Sequence, residues 1–90
     1  MKRTVITVVG KDKVGIIAKV CVYLANNQIN ILDIAQTIVQ GFFNMMMVVN
    51  LEESPKDFKT IATELEQIGD EIGVSIRIQH EDIFNMMHRL

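Results

Sequence analysis

The chain of 90 residues has room for one domain and is too short for two independent cores. Hydrophobic residues make up 49% and charged residues 22%, a globular balance that argues against intrinsic disorder. The net charge is −2 and the nine Lys and Arg are scattered, which lacks the basic footprint of a nucleic-acid binder. No apolar run is long enough to span a bilayer, and Lys2-Arg3 leads straight into Thr4-Val5-Ile6-Thr7 rather than into a signal-peptide core. The expectation is a cytoplasmic protein with no nucleic-acid or membrane partner. A lone Cys21 in an apolar helical stripe reads as a small core residue, not a redox centre.

Residues 3–9, rich in Val, Ile and Thr and closed by Gly10, predict a first strand. The loop Gly10-Lys11-Asp12-Lys13-Val14-Gly15 follows, and then Ile17, Val20, Cys21 and Leu24 recur at helical spacing until Asn26-Asn27, predicting a helix over about 14–25. Residues 29–39 and 42–51 are long β-prone runs joined by Gln40-Gly41, the pattern of an antiparallel hairpin. In the second run Phe43, Met45, Met47, Val49 and Leu51 share one face, predicted to meet the core. Phe42, Asn44, Met46, Val48 and Asn50 share the other. Ser54-Pro55 with Asp57 predicts the start of a second helix, whose stripe is Phe58, Ile61, Ala62, Leu65, Ile68 and Ile72 and whose stop is Gly73. Val74, Ile76 and Ile78 alternate with polar residues as a last strand. Beyond it, Asp82 is a candidate cap for a short amphipathic helix carrying Ile83, Met86, Met87 and Leu90. The predicted domain covers 1–80 and the helical extension 81–90.

The order βαββαβ implies an α+β, ferredoxin-like sandwich: a four-stranded antiparallel sheet with two helices on one face, plus the short C-terminal helix. The other sheet face carries Phe42, Met46 and Val48, too apolar to stand bare, so the terminal helix or a second copy is expected to cover it. A 90-residue fold holds only about 4–13 kcal/mol of stability, which makes pairing energetically relevant.

The loop before the first helix has its own chemistry. Gly15 lacks a Cβ, so another group can approach the backbone closely, and the first-turn N–H groups at the positive end of the helix suit a carboxylate. Asp12 is placed to cap that helix or to meet a ligand ammonium. A glycine in such a turn also serves chain geometry alone, and Asn30 at the entry to a strand also serves local backbone. Gly15→Val is expected to leave the fold intact while blocking approach.

Val9-Gly10-Lys11-Asp12-Lys13-Val14-Gly15-Ile16, Asn30-Ile31-Leu32-Asp33-Ile34 and the hairpin with its Met-rich return strand give the chain a close resemblance to the ACT domain family, small ligand-sensing modules attached to many enzymes of amino-acid metabolism. The resemblance covers about residues 1–80, and the ending His80-Glu81-Asp82-Ile83-Phe84 resembles the stand-alone bacterial members. Val14 stands where many members have proline. The resemblance implies a regulatory homodimer or higher homo-oligomer that binds an amino acid between copies. Asp12, Val14, Gly15 and Ile16 of one copy would face Asn30, Ile31 and Leu32 of another, and a regulated enzyme or regulator would receive the signal.

No nucleophile or acid–base set accompanies this turn: Glu64, Glu66, Asp70 and Glu71 lie on a helix surface, so no catalytic residue, cofactor or metal is expected. His80 and His88 have no ligand partner at metal spacing and read as solvated, and Met45-Met46-Met47 alternates across a strand. An RNA-binding module would need more sheet aromatics than Phe42. The alternative to ligand sensing is a pure protein–protein interaction module that uses the open sheet, the edge strand 29–39 and the terminal helix.

Overall fold

A computed structural model describes residues 3–11 and 13–81. Its elements are β1 (Arg3–Lys11), α1 (Ile16–Asn26), β2 (Asn30–Val39), β3 (Phe42–Asn50), α2 (Phe58–Ile72) and β4 (Val74–His80). The strands form one antiparallel sheet in the order β2-β3-β1-β4, as the βαββαβ pattern requires. Asp12 and the expected C-terminal helix lie outside the described residues.

Alternation in β3 decides the layering. Phe43, Met45, Met47 and Val49 are buried with Ile6 and Val8 of β1, Val74 and Ile76 of β4, Ile16, Val20 and Leu24 of α1, and Ile61 and Leu65 of α2. The intervening Phe42 and Met46 are exposed on the opposite face. Gln40 and Gly41 both have positive φ (51° and 82°), the backbone of a two-residue hairpin turn whose twist matches the strands it joins.

Both helices start later than the sequence suggests. Helix α1 begins at Ile16, so its buried residues are Ile16, Val20 and Leu24, four apart, and Ile17 is turned outward. Helix α2 begins at Phe58, capped by Asp57, whose Oδ1 accepts the Thr60 N–H at 2.8 Å. Ser54 and Pro55 instead build the preceding bend, where the Ser54 hydroxyl oxygen accepts the Lys56 N–H at 3.3 Å. The Asp57 carboxyl sits below the usual carboxylate range because the Thr60 side chain, and after it the Thr60 N–H, bond to the ionised form. Gly73 ends α2 as expected, its N–H bonded to the Gly69 carbonyl.

Gly69 has a packing role. A Cβ there would stand 2.7 Å from the Val74 carbonyl oxygen and 3.2 Å from Ile76 Cγ1, so the missing side chain lets α2 lie directly on β4. The helices are joined by a polar clamp. The Tyr23 hydroxyl donates to Glu64 Oε1 at 2.7 Å, and Lys56 Nζ donates to the same oxygen at 2.7 Å. Burial, then the bonded Glu64 carboxylate, pushes the Tyr23 hydroxyl far above its ordinary range, while the bonds from Lys56 and Tyr23 hold Glu64 low. His80 is half-buried and stacks on Phe58, with ring centroids 4.2 Å apart, rather than standing in solvent.

Candidate ligand site at the glycine turn

The chain leaves β1 at Lys11 and enters α1 through Gly15, which acts as the N-cap at φ 92° and ψ 0° with no side-chain hydrogen bond to the helix start. The first helical bond in this turn runs from the Lys19 N–H to the Gly15 carbonyl at 2.9 Å, so the N–H groups of Ile16, Ile17 and Ala18 precede the ladder. Nothing lies within 4 Å of the position a Gly15 Cβ would take, and Val14 is fully exposed beside it. The left-handed backbone still matters: at φ 92° any side chain is strained whatever the space, and a β-branched one most, so the expectation that Gly15→Val leaves the fold intact is corrected.

Of the other turn residues, Ile16 contributes backbone only, because its side chain is buried in the core. Lys13 reaches away from the helix start: its Nζ stands 2.8 Å from where a Cβ on Gly73 would be, at the negative end of α2. The turn is therefore an electropositive backbone surface open to solvent and free of side-chain obstruction among the described residues.

Asn30, Ile31 and Leu32 stand elsewhere in the same chain. Asn30 pairs with Asn50, which pairs with Arg3 at the start of β1, whereas the glycine turn follows the far end of β1, where Lys11 pairs with Phe42. Eight strand steps of about 3.4 Å separate those ends, roughly 27 Å. One copy does not bring the two halves together. At that distant end Asn30 is exposed, Ile31 packs against the core, and Leu32 is the extra residue of a β-bulge, since Ile31 pairs with Val49 and Asp33 with Val48. The bulge returns Ile34 to the helix side opposite Met47, a shift that no local sequence feature announces. From Asp33 onward β2 is exposed throughout, with Ile34, Ile38 and Val39 in solvent along an edge that has no strand beyond it among the described residues.

On the sheet face away from the helices, a shallow depression of about 500 Å³ lies over Thr7, Val9, Ala35, Asn44, Met46 and Arg77. Among the described residues no group of three or more His, Cys, Asp or Glu could hold a metal ion, and no helix is long and apolar enough to cross a membrane.

Comparison with known proteins bears on the fold and the family. Residues 2–79 match the family model described as an ACT domain. The chain is similar to a UPF0237 protein of Bifidobacterium longum, 54% identical over 90 residues and covering 100% of both chains. It is similar to the solved structure of an ACT domain protein from Streptococcus pneumoniae, with a TM-score of 0.80 and 42% identity, covering 92% of this chain and 93% of that one. A more distant likeness is to the regulatory subunit of aspartate kinase from Thermus thermophilus in its ligand-free form. There the TM-score is 0.64 and the identity 29%, over 87% of this chain and 50% of that chain.

Proposed function

The chain belongs to the ACT domain family, small regulatory ligand-binding domains, and from that premise we propose that it senses an amino acid at an interface between two copies and acts as a regulator of amino-acid metabolism rather than as an enzyme. The observation that carries this is the open glycine turn. The α1 N–H groups, the empty space at Gly15 and the exposed Val14 leave the helix start open to a carboxylate. In this account Val14, Gly15, Ile16 and Asp12 hold the carboxylate side of the ligand, and the partner subunit's Asn30, Ile31 and Leu32 supply the opposite wall.

Edge geometry supports that division. Antiparallel pairing of two β2 edges would carry the start of the partner's strand to the Val39 end of this one, where Phe42 meets Lys11 and the glycine turn begins. The same pairing would satisfy the unpaired β2 backbone and cover Ile34 and Ile38. A ligand bridging the two copies would strengthen their association and be held more tightly by the dimer, because binding and assembly are linked.

A calorimetric panel of the amino acids tests the proposal, with Val14→Asp as the variant that places a negative charge at the approach without entering the core. Saturable binding of one amino acid, weakened in Val14→Asp, supports it. A second reading has its own observation: the exposed apolar row on β2 also suits a module that only pairs with protein. Intact dimers with no heat from any amino acid would favour that reading.

A further inference from the structure

The side chains that border the glycine turn bear on which amino acid fits there. At the pitch of an α-helix, Ile17 lies about 60° to one side of the buried Ile16, Val20 and Leu24 stripe, and Tyr23 about 60° to the other. Tyr23 reaches α2 through Glu64, and α2 rests on β4 at Gly69. Since β4 and β2 are opposite edges of the sheet, the Ile17 flank of α1 faces the β2 edge. Ile17 is 36% exposed there, and its own N–H is one of the donors that precede the helical ladder.

Strand register brings a second aliphatic side chain to the same corner. At the end of the sheet from which α1 departs, Gly10 pairs with Phe43, and Phe43 pairs with Ile38. Ile38 shares the helix side of the sheet with the buried Phe43, yet it is 54% exposed. Val14 adds a third aliphatic side chain beside the turn. The neighbouring cations point elsewhere. Lys11 alternates with Gly10 onto the opposite sheet face, Lys13 reaches Gly73, and Lys19 lies on the Tyr23 flank of α1. Neither α1, β1 nor β3 carries an acid, and Asp33 of β2 stands near the opposite end of its strand.

Pairing of two β2 edges supplies the far wall. Because the bulge at Leu32 removes one step of register, a two-fold axis at Ala35 sets the partner subunit's Ile31 beside Ile38 and the partner subunit's Asn30 beside Val39. Resting on the sensing function proposed above, we propose that the ligand is an amino acid with a branched aliphatic side chain. Its carboxylate meets the α1 N–H groups, its hydrocarbon packs against Ile17, Ile38 and the partner's Ile31, and the partner's Asn30 is left for the ammonium. A charged side chain would be buried at this corner with no partner among the described residues, which is strongly penalised.

Titration calorimetry of the purified protein with each of the twenty amino acids tests the class. Valine, leucine or isoleucine should be the tightest binder, by tenfold or more over alanine, since each buried methylene carries about fourfold in affinity. Ile17→Ser should narrow that gap by threefold or more. Any other amino acid as the tightest binder would overturn the aliphatic class while leaving amino-acid sensing intact, and an unchanged gap in folded Ile17→Ser would overturn the assignment to this corner. No heat from any of the twenty would overturn the sensing function itself and this proposal with it.

Discussion

Gly69→Ala sets two effects of known size against each other. Alanine is favoured over glycine inside a helix by about 0.8–1.0 kcal/mol, so propensity alone predicts a more stable protein. The added methyl, however, would stand 2.7 Å from the Val74 carbonyl oxygen and 3.2 Å from Ile76 Cγ1. The first contact is with backbone, at the residue where β4 starts directly after the Gly73 stop, so relief requires α2 to lift from the sheet. Overpacking of this kind costs about 1–3 kcal/mol. The net effect is a loss of about 1 kcal/mol, which for a domain of this size lowers Tm by roughly 4–8 °C. Urea unfolding with a parallel Thr63→Ala control on the exposed side of α2, where propensity is gained without a packing clash, separates the two effects. A Gly69→Ala protein stabilised as much as the control would refute the close approach of α2 to β4.

Other outcomes follow from the same packing. Leu65→Ala removes a fully buried side chain between α2 and the sheet and should cost about 2–5 kcal/mol in denaturant unfolding, a large share of the total; a cost below 1 kcal/mol would contradict its place in the core. Tyr23 is the sole tyrosine, so phenolate absorbance reports it alone: the folded protein should not ionise near pH 10, and Glu64→Gln should move the titration down toward that value. Because its folded pKa is raised, the Tyr23 contribution is present below the ordinary phenol value and is lost as pH climbs above it toward the folded value; a midpoint near 10 would remove the clamp. The folded Asp57 carboxyl is depressed, so its contribution is present above the ordinary carboxylate value and is lost as pH falls from there through the folded value. The stability curve of Asp57→Asn should therefore be flatter than wild type across that acid window, and parallel curves would contradict the cap. Ile38→Lys, on the exposed β2 edge, should yield folded monomers by light scattering and lose amino-acid binding; unchanged dimers would separate assembly from that edge.

Much of the fold was legible because its signals are local and mutually consistent. Gln40-Gly41 carries the positive φ angles that a tight hairpin demands, and the period-two run from Phe43 to Val49 identifies the core face without reference to any other element. Starts of helices were less legible because two plausible caps compete. Ser54-Pro55 makes as good a bend as a helix start, and Asp57, three residues on, takes the cap with its Thr60 bond. In α1 the expected Val20 and Leu24 are buried, but the third core position is Ile16 rather than Ile17, because the buried stripe runs at a spacing of four and a stripe read at three and four fits either residue. The bulge at Leu32 depends on strand register, a long-range property with no mark in neighbouring residues.

For the site, the sequence singles out Gly15, where the structure shows open space, while only the strand order reveals how far it stands from Asn30. The glycine turn and the start of β2 occupy opposite ends of the sheet, so half of the proposed pocket must come from another molecule.

The most direct measurement is titration calorimetry of the purified protein with each amino acid in turn. The account predicts saturable heat from at least one of them, at a stoichiometry set by the interface, reduced about tenfold in affinity by Val14→Asp while Tm holds. No heat from any amino acid by a folded, dimeric protein would contradict it.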